Sequence, residues 1–120
     1  MVKSLSHMLL SGVFIKGGFD AFMEPGGRVA LVEKAGLPNP RLAVESNGVL
    51  MVVAGCMLAL GIAPKLAASL LIISLVPTTV AGHPFWKEEN AAPRKANLIQ
   101  FLKNLGLIGG LLLILSEKKD

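Results

Sequence analysis

Apolar side chains dominate four stretches of this chain, Leu5 to Met23, Ala43 to Ile62, Leu66 to Gly82 and Leu98 to Leu115, with charge, proline and glycine gathered between them. At about 1.5 Å of rise per helical residue, each stretch is long enough to cross the roughly 30 Å hydrocarbon core of a bilayer. A backbone in lipid must satisfy its own hydrogen bonds, so such stretches form helices. The pattern predicts an all-α fold: an integral membrane four-helix up-down bundle, one domain over residues 1–120.

The intervening segments define the connections. Glu24-Pro25-Gly26-Gly27-Arg28 ends the first helix, because proline restricts the residue before it and glycine loosens the backbone. The amphipathic Arg28 to Ala35 stretch reads as a short helix lying on the membrane surface, followed by Gly36-Leu37-Pro38-Asn39-Pro40. Only Ala63-Pro64-Lys65 separates the second and third stretches, which must form a tight antiparallel hairpin. Pro77 should bend the third helix near Ile73, with Thr78 and Thr79 helping to satisfy the backbone. Trp86, beside phenylalanine, has the character of an interfacial aromatic anchor. Gly48, Gly55 and Ala59, and Gly106 with Gly110, offer small faces for close helix packing. Lys3 and the apolar run after it could open a signal peptide, but no small-x-small cleavage pattern follows Ile15, so the segment is read as a retained first span.

Composition strengthens this picture. A hydrophobic fraction of 52% with 17% charged residues suits a bundle in lipid better than a small domain in water. The net charge of +4 is spread over termini and loops without a basic run, which argues against nucleic acid and for anionic lipid head groups. Lys3, Lys65, Lys118 and Lys119 lie on one face, and Arg28, Lys34, Arg41, Lys87, Arg94 and Lys95 on the other, a balance too even to fix orientation. Cys56 has no partner cysteine and reads as a small core residue. His7 and His83 fall at opposite ends of the bundle, which disfavours a bis-histidine haem, and no cluster has the spacing of a metal site.

The polar residues inside the spans are the candidate chemistry. Lys16, Asp20, Glu45, Asn47, Gln100, Lys103 and Asn104 all fall toward the same membrane face. Lys16 should lie about 10 Å inside that face, Asp20 about 4 Å, Glu45 about 3 Å and Lys103 about 8 Å. Lys16 and Asp20 are four apart and within pairing reach, and Gln100, Lys103 and Asn104 are expected along one side of the fourth helix. Such groups either neutralise one another or line a pocket for a polar head such as that of a quinone. In the second case Lys16 or Lys103 would stabilise negative charge on the quinol oxygen, and Glu45 or Asp20 would carry its proton.

Three stretches carry a family resemblance. They are Leu9-Leu10-Ser11-Gly12-Val13-Phe14-Ile15-Lys16-Gly17-Gly18-Phe19-Asp20; Glu45-Ser46-Asn47-Gly48 leading through Leu60-Gly61-Ile62-Ala63-Pro64-Lys65-Leu66-Ala67-Ala68; and His83-Pro84-Phe85-Trp86 followed by Gln100-Phe101-Leu102-Lys103-Asn104-Leu105-Gly106-Leu107-Ile108-Gly109-Gly110. In these the chain resembles the DoxX family of small four-helix membrane proteins. It differs from the commoner pattern in carrying Ser46-Asn47 where a glycine often follows the glutamate. The resemblance implies a multi-pass protein of the cytoplasmic membrane, and it brings an association with membrane redox work, since the family is similar to the membrane subunit of a thiosulfate:quinone oxidoreductase. Two roles are therefore expected: a subunit of a quinone-linked oxidoreductase or electron-transfer complex, without a covalently bound cofactor or redox centre of its own, or a noncatalytic accessory subunit of a larger membrane complex. A small carrier using the polar pocket is a third. Beyond lipid, the expected partners are other membrane subunits.

Overall fold

The computed structural model describes residues 1–118; Lys119, counted among the charges above, lies outside the described residues. Among the described residues, the fold has five α-helices and one 3-10 turn: α1 (Val2–Met23), α2 (Gly26–Lys34), α3 (Pro40–Leu60), α4 (Pro64–Gly82), the turn Phe85–Lys87, and α5 (Ala91–Leu115). There is no strand among the described residues. The expectation of four helices is thus corrected to five, the additional one being the short α2, which occupies the place of the surface helix expected from Arg28 to Ala35. It has no buried residue and caps one end by packing against α3 and α4.

Local chemistry sets the boundaries. Helix α3 ends where Gly61 takes a left-handed conformation (φ 72°) that a β-carbon would strain. There the amide of Ile62 reaches the Met57 carbonyl at 2.8 Å and that of Gly61 the Leu58 carbonyl at 3.2 Å, a Schellman closure of the last turn. Pro64 then opens α4, where its missing N–H costs nothing. The helix continues unbroken through Pro77. The Thr78 hydroxyl bonds the Ser74 and Leu75 carbonyls at 3.0 and 3.1 Å, and Thr79 bonds Leu75 at 2.6 Å, so the threonines satisfy neighbours of Ile73 rather than Ile73 itself. Helix α5 begins seven residues before the apolar run at Leu98, because Ala91 to Asn97 are helix-compatible but too polar to register as a span.

The long helices alternate in direction. Gly18 meets Gly48 while Ile15 meets Gly55, so α1 and α3 are antiparallel; Asn47 meets Ser74, and Asn104 meets Thr79, for the next two pairs. Leu10 against Gly110 and His7 against Glu117 join α1 to α5. Backbones of α1 and α3 approach closely: a β-carbon on Gly48 would lie 2.7 Å from the Gly18 carbonyl oxygen, and one on Gly55 would lie 2.8 Å from Ile15 Cγ1. Gly48 and Gly55 thus serve the close packing expected of them, Gly48 against Gly18 and Gly55 against Ile15. Gly106 has open space beside it and Gly110 only ordinary contact with Leu10.

The apolar core occupies the half of the bundle nearest the termini. Phe14, Ala54, Leu58, Ala67, Ala68, Leu71, Leu75, Leu111 and Ile114 form it. Among the described residues, three helices are long and apolar enough to cross a membrane, over Pro40–Leu60, Pro64–Lys87 and Ala91–Leu115. Helix α1 has the length, but Lys3, Lys16 and Asp20 dilute its apolar run.

Candidate functional site

The other half of the bundle, toward α2 and the two longer connections, holds the polar residues. Ser74 on α4 donates to Asn47 Oδ1 on α3 at 2.6 Å, and Asn47 Nδ2 contacts Met51 Sδ at 3.4 Å. One turn and a half further along α4, the buried Thr79 hydroxyl accepts from Asn104 Nδ2 of α5 at 3.0 Å. Beyond the end of α4, His83 Nδ1 lies 3.4 Å from Asn97 Oδ1. A row of polar groups on α4 therefore ties α3 and α5 together where the core contains few apolar side chains. No buried side-chain nitrogen or oxygen lacks a partner among the described residues, as low-dielectric surroundings demand.

The charged residues pair within their own helices. Lys16 Nζ donates to both Asp20 carboxylate oxygens at 2.7 and 2.8 Å, on the exposed side of α1. Glu45 accepts from Nε of Arg41, one turn earlier on α3, at 2.8 Å. Gln100 and Lys103 are exposed on α5, and Asn104 alone of those three faces α4. Adjacent residues are rotated by about 100°, so Lys103 cannot share a direction with Asn104. Among the seven polar positions, then, the structure joins Lys16 to Asp20, sends Asn47 and Asn104 separately to α4, pairs Glu45 with Arg41, and leaves Gln100 and Lys103 outward.

Asn39, Pro40, Arg41, Leu42 and Glu45 line an open groove of about 500 Å³ at the start of α3. It presents a guanidinium and a carboxylate beside an exposed leucine at the polar end of the bundle. Arg41 can donate to a carbonyl or anionic oxygen, and Glu45 can accept a proton. Phe85, Trp86 and Phe101 pack edge to face with centroids 5.2 to 5.8 Å apart, giving Trp86 a built aromatic surround.

Sequence reasoning did not find Ser74, Thr79, Arg41 or the His7 to Glu117 contact as partners. Arg41 was legible as the residue four before Glu45; the others depend on which helices become neighbours. Cys56, expected in the core, is exposed. Among the described residues, no group of three His, Cys, Asp or Glu side chains could hold a metal ion.

A family model described as DoxX matches residues 5–84. Among curated proteins, the chain is similar to the inner membrane protein YphA of Escherichia coli (strain K12), with 33% identity over 102 residues that cover 85% of this chain and 72% of the relative. No solved structure matches the chain.

Proposed function

The chain belongs to the DoxX family, and we propose that it serves as a membrane subunit associated with a quinone-linked oxidoreductase or electron-transfer complex, receiving a quinone head group in the groove at Arg41 and Glu45. It is a multi-pass protein of the cell membrane: among the described residues three helices are long and apolar enough to cross, and its Escherichia coli relative is an inner membrane protein. In the proposed topology α1 is the fourth span, carried across by its glycine seam with α3, and residues 1–120 form one transmembrane domain.

The observation that supports the quinone reading is the groove itself. Its polar pair lies beside Leu42 at the end of a spanning helix, where an amphipathic head with an apolar tail changes from head groups to hydrocarbon. Arg41 would donate to a carbonyl oxygen of the head, and Glu45, held by Arg41, would exchange a proton there. A bound quinone would supply two-electron, two-proton chemistry, with electrons coming from a redox centre on a partner subunit. Asn47 and Asn104 fix the helices at this end through Ser74 and Thr79, whereas Lys16 with Asp20, Gln100 and Lys103 stand on outward sides of their helices and do not line the groove.

The second reading is a noncatalytic accessory subunit of a larger membrane complex. It draws on the Lys16–Asp20 pair and on Lys103, which present charge on outward faces of long apolar helices; intramembrane charge of this kind is stabilised by a protein neighbour. Mass spectrometry of the natively purified protein, covering both copurifying polypeptides and extracted quinones, separates the two. The quinone reading expects bound quinone that is lost in E45Q and R41Q with partners retained. A complex that never contains quinone, but dissociates in K103Q or D20N, supports the accessory reading and contradicts the first.

A further inference from the structure

Helices α1 and α5 meet near the termini, where Leu10 touches Gly110 and His7 bonds Glu117, but they do not pack along their length as α1 does on α3 and α5 on α4. Toward the polar end the seam between them is open. Gly17 lies two turns beyond Leu10 and Lys103 two turns before Gly110, so both sit on the facing strips. A β-carbon on Gly17 would meet Met51 of α3 at 3.4 Å and nothing of α5, and Lys103 is exposed. We propose that a second copy of this chain closes the seam, with Lys103 of each copy paired to Asp20 of the other.

Charge is the first reason. Among the described residues Lys103 has no ion-pair partner, although it lies within the apolar run of α5, where an ammonium group is stabilised by an anion. Asp20 supplies one. Its two oxygens accept from Lys16, which leaves lone pairs for a second donor. Three residues beyond Gly17, Asp20 stands about 60° around α1 from the seam strip, on the side away from buried Gly18 and Ala21. Depth is the second reason. Ten residues along α1 from Leu10, and seven back along α5 from Gly110, put Asp20 and Lys103 within about one turn of the same level. Two copies inserted in the same direction preserve that level. Symmetry is the third reason: a two-fold axis along the membrane normal sets α1 of each copy opposite α5 of the other, so the same ion pair forms twice. Val13 and Gly106 also come level in this arrangement, and Gly106 has open space to receive a side chain. Helix α5, which offers this surface, is the least buried of the three apolar spans. The inference needs neither a quinone nor another subunit.

The test is native mass spectrometry of the full chain, purified alone in mild detergent, over a range of protein-to-detergent ratios. A dimer is expected. D20N and K103Q should each weaken it by about tenfold or more, since each removes two ion pairs, and the exchanged chain D20K/K103D should restore it. E24Q, one turn farther out on α1, should leave it intact. The Lys16–Asp20 pair and Lys103 stand on outward sides of their helices, so these variants should retain the helical circular dichroism of the parent. Copies carrying V13C/C56A, mixed with copies carrying G106C/C56A and oxidised, should link to one another, while neither variant alone links to itself. A monomer at every ratio, a dimer unaffected by D20N and K103Q, or like copies linking as readily as unlike ones would overturn the proposal.

Discussion

Asn47 shows how much one side chain can do in this bundle. It accepts from Ser74 across the α3–α4 interface in the half where the apolar core is thin. N47A leaves the Ser74 hydroxyl without its cross-helix partner, and intramembrane hydrogen bonds of this kind are worth about 0.6 kcal/mol on average and up to about 1.7. N47A and S74A should each lower stability by roughly that amount in a denaturant titration in detergent, and the double variant should cost little more than either single one. His7 should be more sensitive. E117A leaves a buried imidazole nitrogen unpaired, so it should cost about 1 to 3 kcal/mol in the same titration, more than E45A on the exposed Arg41 pair. The polarity of Asn47, Glu45 and Asn104 was visible in the sequence because charge and amide groups stand out in apolar runs. Their partners were not, since a linear pattern gives depth along a helix but not the neighbour that a side chain faces.

Helices reveal a different balance between what sequence shows and what packing decides. The hairpin of α3 and α4 followed from the shortness of Ala63-Pro64-Lys65, and the surface helix α2 from its amphipathic run. The seven-residue extension of α5 escaped hydropathy because Ala91 to Asn97 are polar, and the glycine pattern misled at Gly106, which no helix approaches. Small residues permit close packing but do not choose the pair that uses it. The Gly18–Gly48 contact predicts a sharp contrast. G48A brings a β-carbon to 2.7 Å from a backbone oxygen, which must move, so it should lower the thermal midpoint by several degrees, a loss of about 1 to 3 kcal/mol. G106A meets open space and should be neutral or slightly stabilising, because alanine is the better helix former by about 1 kcal/mol.

The assembled bundle is divided along its length. Toward the termini lies an apolar core; toward α2 lie the polar ties on α4, the aromatic group around Trp86 and the groove at Arg41 and Glu45. Hydropathy alone located the polar end, because all seven candidate residues fall there, but the grouping of those residues required the fold. Helix α1 is the element on which topology turns, since its charges keep it below the apolarity of the other three long helices. If its packing against α3 carries it across, S4C and E33C, each introduced with C56A, should react with an impermeant thiol reagent from opposite sides of sealed vesicles. Reaction from the same side would leave α1 on the surface.

The most direct test of the functional reading is to irradiate the purified protein with a photoreactive quinone and map the labelled peptide by mass spectrometry. Label confined to Asn39–Glu45, competed by unmodified quinone and lost in E45Q, is the predicted result. Label spread along the apolar faces of the helices, unaffected by competitor or by E45Q, would contradict a quinone site at the start of α3.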